Sequence, residues 1–238
     1  MSVTMSVTTW AIASAVVVFA SFIQGSTGVG FALLVAPVLG ILAPTLLPVA
    51  VLILMLPLNL YIAWRERTHL DFRSGGWITV GRIAGTFGGL WVLVALSLAH
   101  LKIFIGVSTI AAALATLAMP VFRPTRSAFV TAGLVTGVTE TATGIGGPPL
   151  ALVYQHHPVA VMRSTIAMCF LVGELVSLGF LWHADRIGTP QLIDAAQLLP
   201  ALALGAGLSL FAHSRVNAKG LRSFVMVFSI ASGLVLLF

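Results

Sequence analysis

The stretch of sequence that decides the fold is Gln24-Gly25-Ser26-Thr27-Gly28-Val29-Gly30-Phe31. Apolar sequence surrounds it, from Trp10 to Ile23 and from Ala32 to Leu42. Its three glycines within six residues disfavour a continuous helix, because each costs about 1 kcal/mol relative to alanine. Broken backbone at membrane depth is tolerated only where protein buries it or a wet cavity solvates it. The stretch therefore predicts a broken helix facing a cavity, with a small-residue helix-packing motif as the alternative.

The composition is that of a membrane protein. The chain has 238 residues, of which 59% are hydrophobic and 8% are charged, and its mean hydropathy is +1.10. Soluble domains carry about 25% charged residues. No charged residue precedes Arg65, and the apolar runs approach the ~20 residues needed to cross a bilayer. We therefore expect an all-α polytopic membrane protein, and a net charge of +6 that lies in loops rather than on a nucleic-acid surface.

The glycine-rich stretch occurs twice. Its second copy is Glu140-Thr141-Ala142-Thr143-Gly144-Ile145-Gly146, at an offset of 116 residues. Further along, residues 101, 102 and 104 match residues 221, 222 and 224 in type at an offset of 120. Two matches in the same order predict a duplicated unit. We therefore expect a first transmembrane repeat over residues 1–119 and a second over residues 120–238.

The distribution of basic residues predicts how the repeats are oriented. If each broken segment crosses the membrane once, the twelve Lys and Arg residues divide seven against five. If each broken segment turns back at its glycines, only Lys102 and Arg186 lie opposite the others, as the positive-inside rule requires. Each half then has five segments, so the halves are inverted repeats, each a broken or re-entrant first helix followed by three transmembrane helices. The N-terminus, without Lys or Arg before residue 65, is expected outside.

The two glycine stretches predict a site for a small oxyanion. Helix starts near Gly28 and Gly144 would offer partial positive charge and unpaired N–H groups, and glycines allow a ligand close to the backbone. Prolines after Gly147 suit a first helical turn. The predicted substrate-binding residues are Gln24, Gly25, Ser26, Thr27, Gly28, Gly30, Thr139, Glu140, Thr141, Thr143, Gly144, Gly146, Gly147 and Pro148.

A second set of polar residues lies inside apolar segments and is predicted to relay a proton or an anion. Acids within the membrane are costly and mark function by default. Each has a plainer alternative: a protonated Glu140 capping an N–H group, an interhelical hydrogen bond for Asn59, and snorkelling of the arginines to the interface. The predicted relay residues are Glu140, Glu174, Asn59, Arg82 and Arg163.

The paired motifs resemble those of the TauE/SafE family of sulfite exporters. The likeness lies in residues 24–31 followed by Ala36-Pro37-Val38-Leu39, and in residues 137–149 with Tyr154 after them. Position 31 is phenylalanine where many members have another glycine. The resemblance covers nearly the whole chain. It implies export of sulfite, or transport of a small organosulfur or carboxylate anion, across the bacterial inner membrane, with the ligand held by residues 24–31 and 140–148.

We therefore expect a secondary transporter that exports sulfite or a related organosulfur anion. An uptake permease for another organic anion is the first alternative, and a membrane-embedded enzyme or scaffold is the second. No catalytic, nucleotide-binding or metal motif is present, so neither an enzyme nor a cofactor is expected. The expected partners are a small anion and membrane lipid, and a homodimer stays open because exposed apolar faces would suit a second copy.

Overall fold

The computed structural model describes residues 6–118, 123–155, 157–212 and 218–237. Those residues contain no strand, and they form two short 3-10 turns, Pro44–Leu46 and Arg67–His69, besides the helices. The helices are α1 (Val7–Thr27), α2 (Phe31–Leu42), α3 (Val49–Arg65), α4 (Phe72–Ala95), α5 (Leu98–Ala118), α6 (Arg126–Thr143), α7 (Gly147–Val153), α8 (Val159–His183), α9 (Thr189–Ala212) and α10 (Ala218–Leu237). The predicted repeat boundary at residues 119–120 lies outside the described residues.

Helix lengths and hydropathy confirm a multi-pass helical membrane protein. Within the described ranges, five helices are long and apolar enough to cross a bilayer, namely α1, α4, α5, α8 and α9. Helix α1 has 21 residues, or about 31 Å, which is enough to cross the hydrocarbon layer. In contrast, α2 has 12 residues and α7 has seven, so neither reaches across the ~30 Å hydrocarbon layer.

Both glycine-rich stretches interrupt a helix, as predicted. Gly28 (φ 88°) ends α1 and Gly144 (φ 83°) ends α6, both in the left-handed region. There the N–H of Gly28 donates to the carbonyl of Gln24, and that of Gly144 donates to the carbonyl of Glu140, each at 2.7 Å. L-residues avoid this conformation, so glycine fixes where each helix stops.

Close backbone contacts set the direction of the helices. Glycines 81, 85 and 89 of α4 lie against the backbone of residues 130, 134 and 138 of α6, so these two helices run parallel. Gly205 of α9 lies against Val18 of α1, and Gly25 of α1 lies against Ser209 of α9. The residue numbers rise together along the contact, so α1 and α9 also run parallel. Helices α3 and α8 run antiparallel, because residue 66 pairs with 163 while residue 59 pairs with 174. Small residues permit this close approach.

We call one end of the bundle the arginine end. It holds the end of α3 and the start of α8, joined by Glu66 and Arg163. It also holds the start of α4, where the Ser74 hydroxyl lies 2.5 Å from that of Tyr154, just after α7. The C-terminal carbonyls of α1 belong to this end too, since Arg163 binds the carbonyl of Ser26. The helix ends that carry most of the described arginines therefore lie together.

Candidate functional site

A buried chain of hydrogen bonds begins at the first helix break. The N–H of Phe31, the first residue of α2, donates to Oε1 of Gln24 at 3.1 Å. Nε2 of Gln24 donates to Oδ1 of Asn59 at 3.3 Å. Gln24 therefore caps the start of α2 and ties it to α3, instead of offering its amide to the cavity described below.

The chain continues from α3 to α8 at the centre of the bundle. Nδ2 of Asn59 donates to Oε1 of Glu174 at 2.7 Å, and both residues have 0% of their surface exposed. The interhelical hydrogen bond that was the plainer alternative for Asn59 is present. Oε2 of Glu174 has no hydrogen-bond partner among the described residues. At the offset of 116 residues, Asn59 corresponds to position 175, so the pair joins positions that the repeat aligns to within one residue.

An ion pair between Arg82 and Glu140 lies at the second break. Both side chains are buried, with 1% and 0% exposed, so Arg82 does not snorkel to the interface. Its guanidinium lies 4.9 Å from the ring centroid of Phe170 and passes directly over the Cα of Gly173. The Glu140 carboxylate lies against Gly146, where a Cβ would be 2.7 Å from Oε2. Buried charges need such a partner, because desolvating either alone costs several kcal/mol.

Arg163 has a different environment. Its Nη1 donates to the carbonyl of Ser26 at 3.0 Å, and its Nε donates to Oε2 of Glu66 at 3.1 Å. Arg65 lies beside it, with Nη2 at 3.4 Å from the carbonyl of Gly25. Cations stabilise the C-terminus of a helix, where carbonyls are unpaired. Arg163 and Glu66 thus hold the end of α1 in place, and Glu66 was not among the predicted site residues.

Beside the two breaks lies a cavity of about 550 Å³, which we call the break cavity. The first break contributes residues 26, 27, 29 and 30, and the second contributes Pro148. The wall also includes residues of α1, α2, α7, the segment after α7, the start of α8, the end of α5 and α10. The two breaks approach each other there, since a Cβ on Gly147 would lie 3.7 Å from the Cβ of Val29. The residues of α5 and α8 in this wall are those nearest the arginine end.

Three polar atoms in this wall lack a partner among the described residues. They are Oγ of Ser26, Oε1 of Gln155 and Nδ1 of His157, and all three atoms are buried. A buried polar atom without a hydrogen bond is costly, so each such atom needs an explanation. Ser26 was among the predicted site residues, whereas Gln155 and His157 were not. His157 lies two residues before the start of α8 at Val159, in a segment without a periodic apolar pattern.

The remaining predicted site residues do not face the break cavity, except Thr27, Gly30 and Pro148. The Thr139 hydroxyl donates to the carbonyl of Val135 at 3.0 Å, and that of Thr143 donates to the carbonyl of Thr139 at 2.7 Å. The Thr141 hydroxyl lies 2.8 Å from that of Ser177. Prolines 148 and 149 carry no N–H, so the second break offers fewer amide donors than the first.

Two interrupted helices, buried charges and a cavity inside an apolar helical bundle define the class of polytopic membrane transport proteins. The chain belongs to the Sulfite exporter TauE/SafE family, whose model matches residues 13–236. No curated protein and no solved structure matches the chain. The family consists of membrane transporters, and the match that places the chain in it covers nearly the whole sequence.

Proposed function

We propose that this protein is a secondary transporter that exports sulfite, or a related small organosulfur anion, across the bacterial inner membrane. The observation that carries the proposal is the meeting of the two glycine breaks at the wall of the break cavity in a chain of the sulfite exporter family. The anion would lie between the breaks, near the centre of the membrane.

Packing supports the proposal that residues 1–119 and 120–238 are inverted repeats. With the offset of the two glycine stretches, α1 corresponds to α6 and α4 corresponds to α9. The first helix of each half packs closely against a helix of the other half: α1 packs against α9, and α6 packs against α4. Both pairs of helices run parallel. The corresponding helices α3 and α8 pack against each other in opposite directions. This arrangement is expected when α1 and α6 enter the membrane from opposite faces.

The unpaired groups of the break cavity are the proposed anion ligands. The Ser26 hydroxyl and the His157 imidazole, with a proton on Nδ1, would donate hydrogen bonds to sulfite oxygens, and Oε1 of Gln155 would accept one from the protonated form, hydrogensulfite. The wall is otherwise mostly apolar, which suits a site that must release its ligand. Because the arginine end is the predicted cytoplasmic end, a cavity wall near that end supports loading from inside the cell.

The buried charges support coupling to protons. Two carboxylates with no exposed surface, Glu140 and Glu174, lie inside the bundle with the buried guanidinium of Arg82, which pairs with Glu140. One proton on this cluster would balance its charge, and a buried net charge is expensive. We propose that a carboxylate of Glu140 or Glu174 binds this proton during transport, and that Arg82 and Asn59 hold these carboxylates in place. Arg163 positions the first break instead of relaying an anion.

The experiment is sulfite flux into sealed liposomes that contain the purified full chain. Replacing Ala151, which lines the break cavity, with tryptophan should reduce flux at least tenfold by filling the cavity. Ala84→Trp on the exposed side of α4 is the control and should retain flux. Flux of sulfoacetate or taurine but not of sulfite would favour the organic-anion permease. No flux of any anion would favour a scaffold or enzyme.

A further inference from the structure

A second cavity, of about 410 Å³, lies at the arginine end between the starts of α4 and α6. Three arginines line it, Arg73, Arg123 and Arg126. None of their guanidinium groups forms a hydrogen bond or ion pair with any residue in the described part of the chain. This concentration of unpaired positive charge in a concave site calls for an anionic ligand. It shares His157 with the break cavity, but its three arginines do not line the proposed transport path.

The single acid in this cavity does not neutralise the arginines. Asp71 caps α4, and its carboxylate accepts hydrogen bonds from the N–H groups of Arg73 and Ser74 and from the Ser74 hydroxyl at 2.6 Å. Partial burial opposes ionisation, but these hydrogen bonds outweigh it and hold the pKa of Asp71 below its usual value. The carboxylate is thus charged and occupied by its helix cap, and the cavity retains an excess of positive charge.

The cavity opens onto the lipid-facing side of the bundle. Trp77 lines it and is 38% exposed, and the Arg126 guanidinium lies 5.8 Å from the centroid of the Trp77 indole. One turn deeper, Val80 is 59% exposed and Leu134 is 44% exposed. These two residues flank the contact of α4 with α6, since the Leu134 N–H lies against Gly81. An apolar strip therefore continues from the basic cavity toward the membrane interior, and tryptophan at this depth is typical of the membrane interface.

We propose that this cavity, the headgroup cavity, binds the phosphate-bearing headgroup of an anionic phospholipid, with an acyl chain along Val80 and Leu134. The arginines would contact the phosphate, and Trp77 would lie at the junction of headgroup and chain. Basic pockets between transmembrane helices on the cytoplasmic side have the charge that such headgroups require. A soluble phosphate would match the arginines but would gain nothing from the apolar strip. This proposal does not depend on the transported substrate.

The test uses the purified full chain in neutral detergent. Phosphatidylglycerol, phosphatidylcholine and inorganic phosphate are titrated separately, and both the thermal unfolding midpoint and the lipid retained in native mass spectra are measured. The variants are Arg73→Gln, Arg126→Gln and the double variant. Arg67→Gln is the matched control, because Arg67 is exposed at the same end and lies 4.8 Å from the ring centroid of Trp64 but does not line the cavity.

Phosphatidylglycerol should stabilise the wild type and remain bound, whereas phosphatidylcholine should do neither. Each cavity variant should weaken this binding about fivefold, the contribution of one basic residue near an anionic lipid. The control should bind as the wild type does. Equal stabilisation by phosphatidylcholine, equal stabilisation by millimolar phosphate, or equal weakening by Arg67→Gln would each overturn the proposal. Native mass spectra decide the outcome for any variant whose unfolding midpoint changes without lipid.

Discussion

The substitution Gly173→Ala tests whether Arg82 is held inside the bundle. Gly173 lies on α8 next to Glu174, and the Arg82 side chain crosses its Cα on the way to Glu140. A Cβ at this position would overlap Nε and Cζ of Arg82 and would lie 2.5 Å from Cδ. Arg82 is flexible, but any movement that clears the methyl group withdraws its guanidinium from the buried carboxylate.

The size of the effect follows from this displacement. Separating a buried ion pair costs about 3–5 kcal/mol, because one charge is left without its partner. Alanine gains roughly 1 kcal/mol over glycine inside a helix. We therefore expect Gly173→Ala to lower the free energy of unfolding by about 3 kcal/mol. Gly179→Ala is the matched control on the same helix, since nothing lies within 4 Å of its Cβ position, and it should stabilise the protein slightly.

The assay is equilibrium unfolding in mixed detergent micelles, followed by circular dichroism. A double-mutant cycle adds specificity: with Arg82→Met and Glu140→Gln present, Gly173→Ala should cost less than about 1 kcal/mol, because no ion pair remains to be broken. If Gly173→Ala and Gly179→Ala have equal effects, Arg82 does not occupy this position and the buried charge cluster is wrong.

Three further predictions concern the helix break, the acid cluster and the helix cap. Gly144→Ala forces alanine to a φ of 83° and should lower the free energy of unfolding by about 1–2 kcal/mol. The control Gly76→Ala has open space around its Cβ position and should not lower it. Equal unfolding curves for the two variants would contradict this. Glu174→Gln keeps an acceptor for Asn59 and should fold normally, but sulfite flux should lose its dependence on pH; an unchanged pH profile in liposomes would exclude a proton role for Glu174. Asp71→Asn should lower the unfolding midpoint at pH 7, and the difference should shrink as the pH falls below about 4 and through the lower folded-state pKa of Asp71, because the stabilisation is complete only above the unfolded pKa; a difference that does not shrink at all as the pH falls below about 4 would refute the cap.

Local rules were sufficient to predict the helix breaks. Glycine at positions 28 and 144 and proline at 148 act through their own backbone, so the sequence indicates where α1 and α6 end and where α7 begins. The start of α9 is different. It begins at Thr189, because a proline and an acid suit the first turns of a helix although they interrupt an apolar pattern.

Side-chain environments depended on tertiary packing and could not be predicted. Arg82 and Arg163 had the same plainer alternative, snorkelling to the interface, yet one is buried against Glu140 and the other pairs with Glu66. Nothing in the local sequence distinguishes them. The threonines expected to bind an anion also satisfy their hydroxyls on nearby groups, as Thr143 does on the carbonyl of Thr139. That alternative is open to any threonine in a helix.

The most direct test of an anion path between the two breaks is a covalent link across it. Cysteines at Val29 and Gly147, in a Cys169→Ala background, would place their Cβ atoms about as far apart as the 3.7 Å that separates Val29 from the Cβ position of Gly147. Dibromobimane would join them through thioethers, which sulfite does not cleave. We predict that sulfite flux in liposomes is lost when both cysteines are linked and is retained in each single variant treated alike. Full flux through the linked protein would contradict the account.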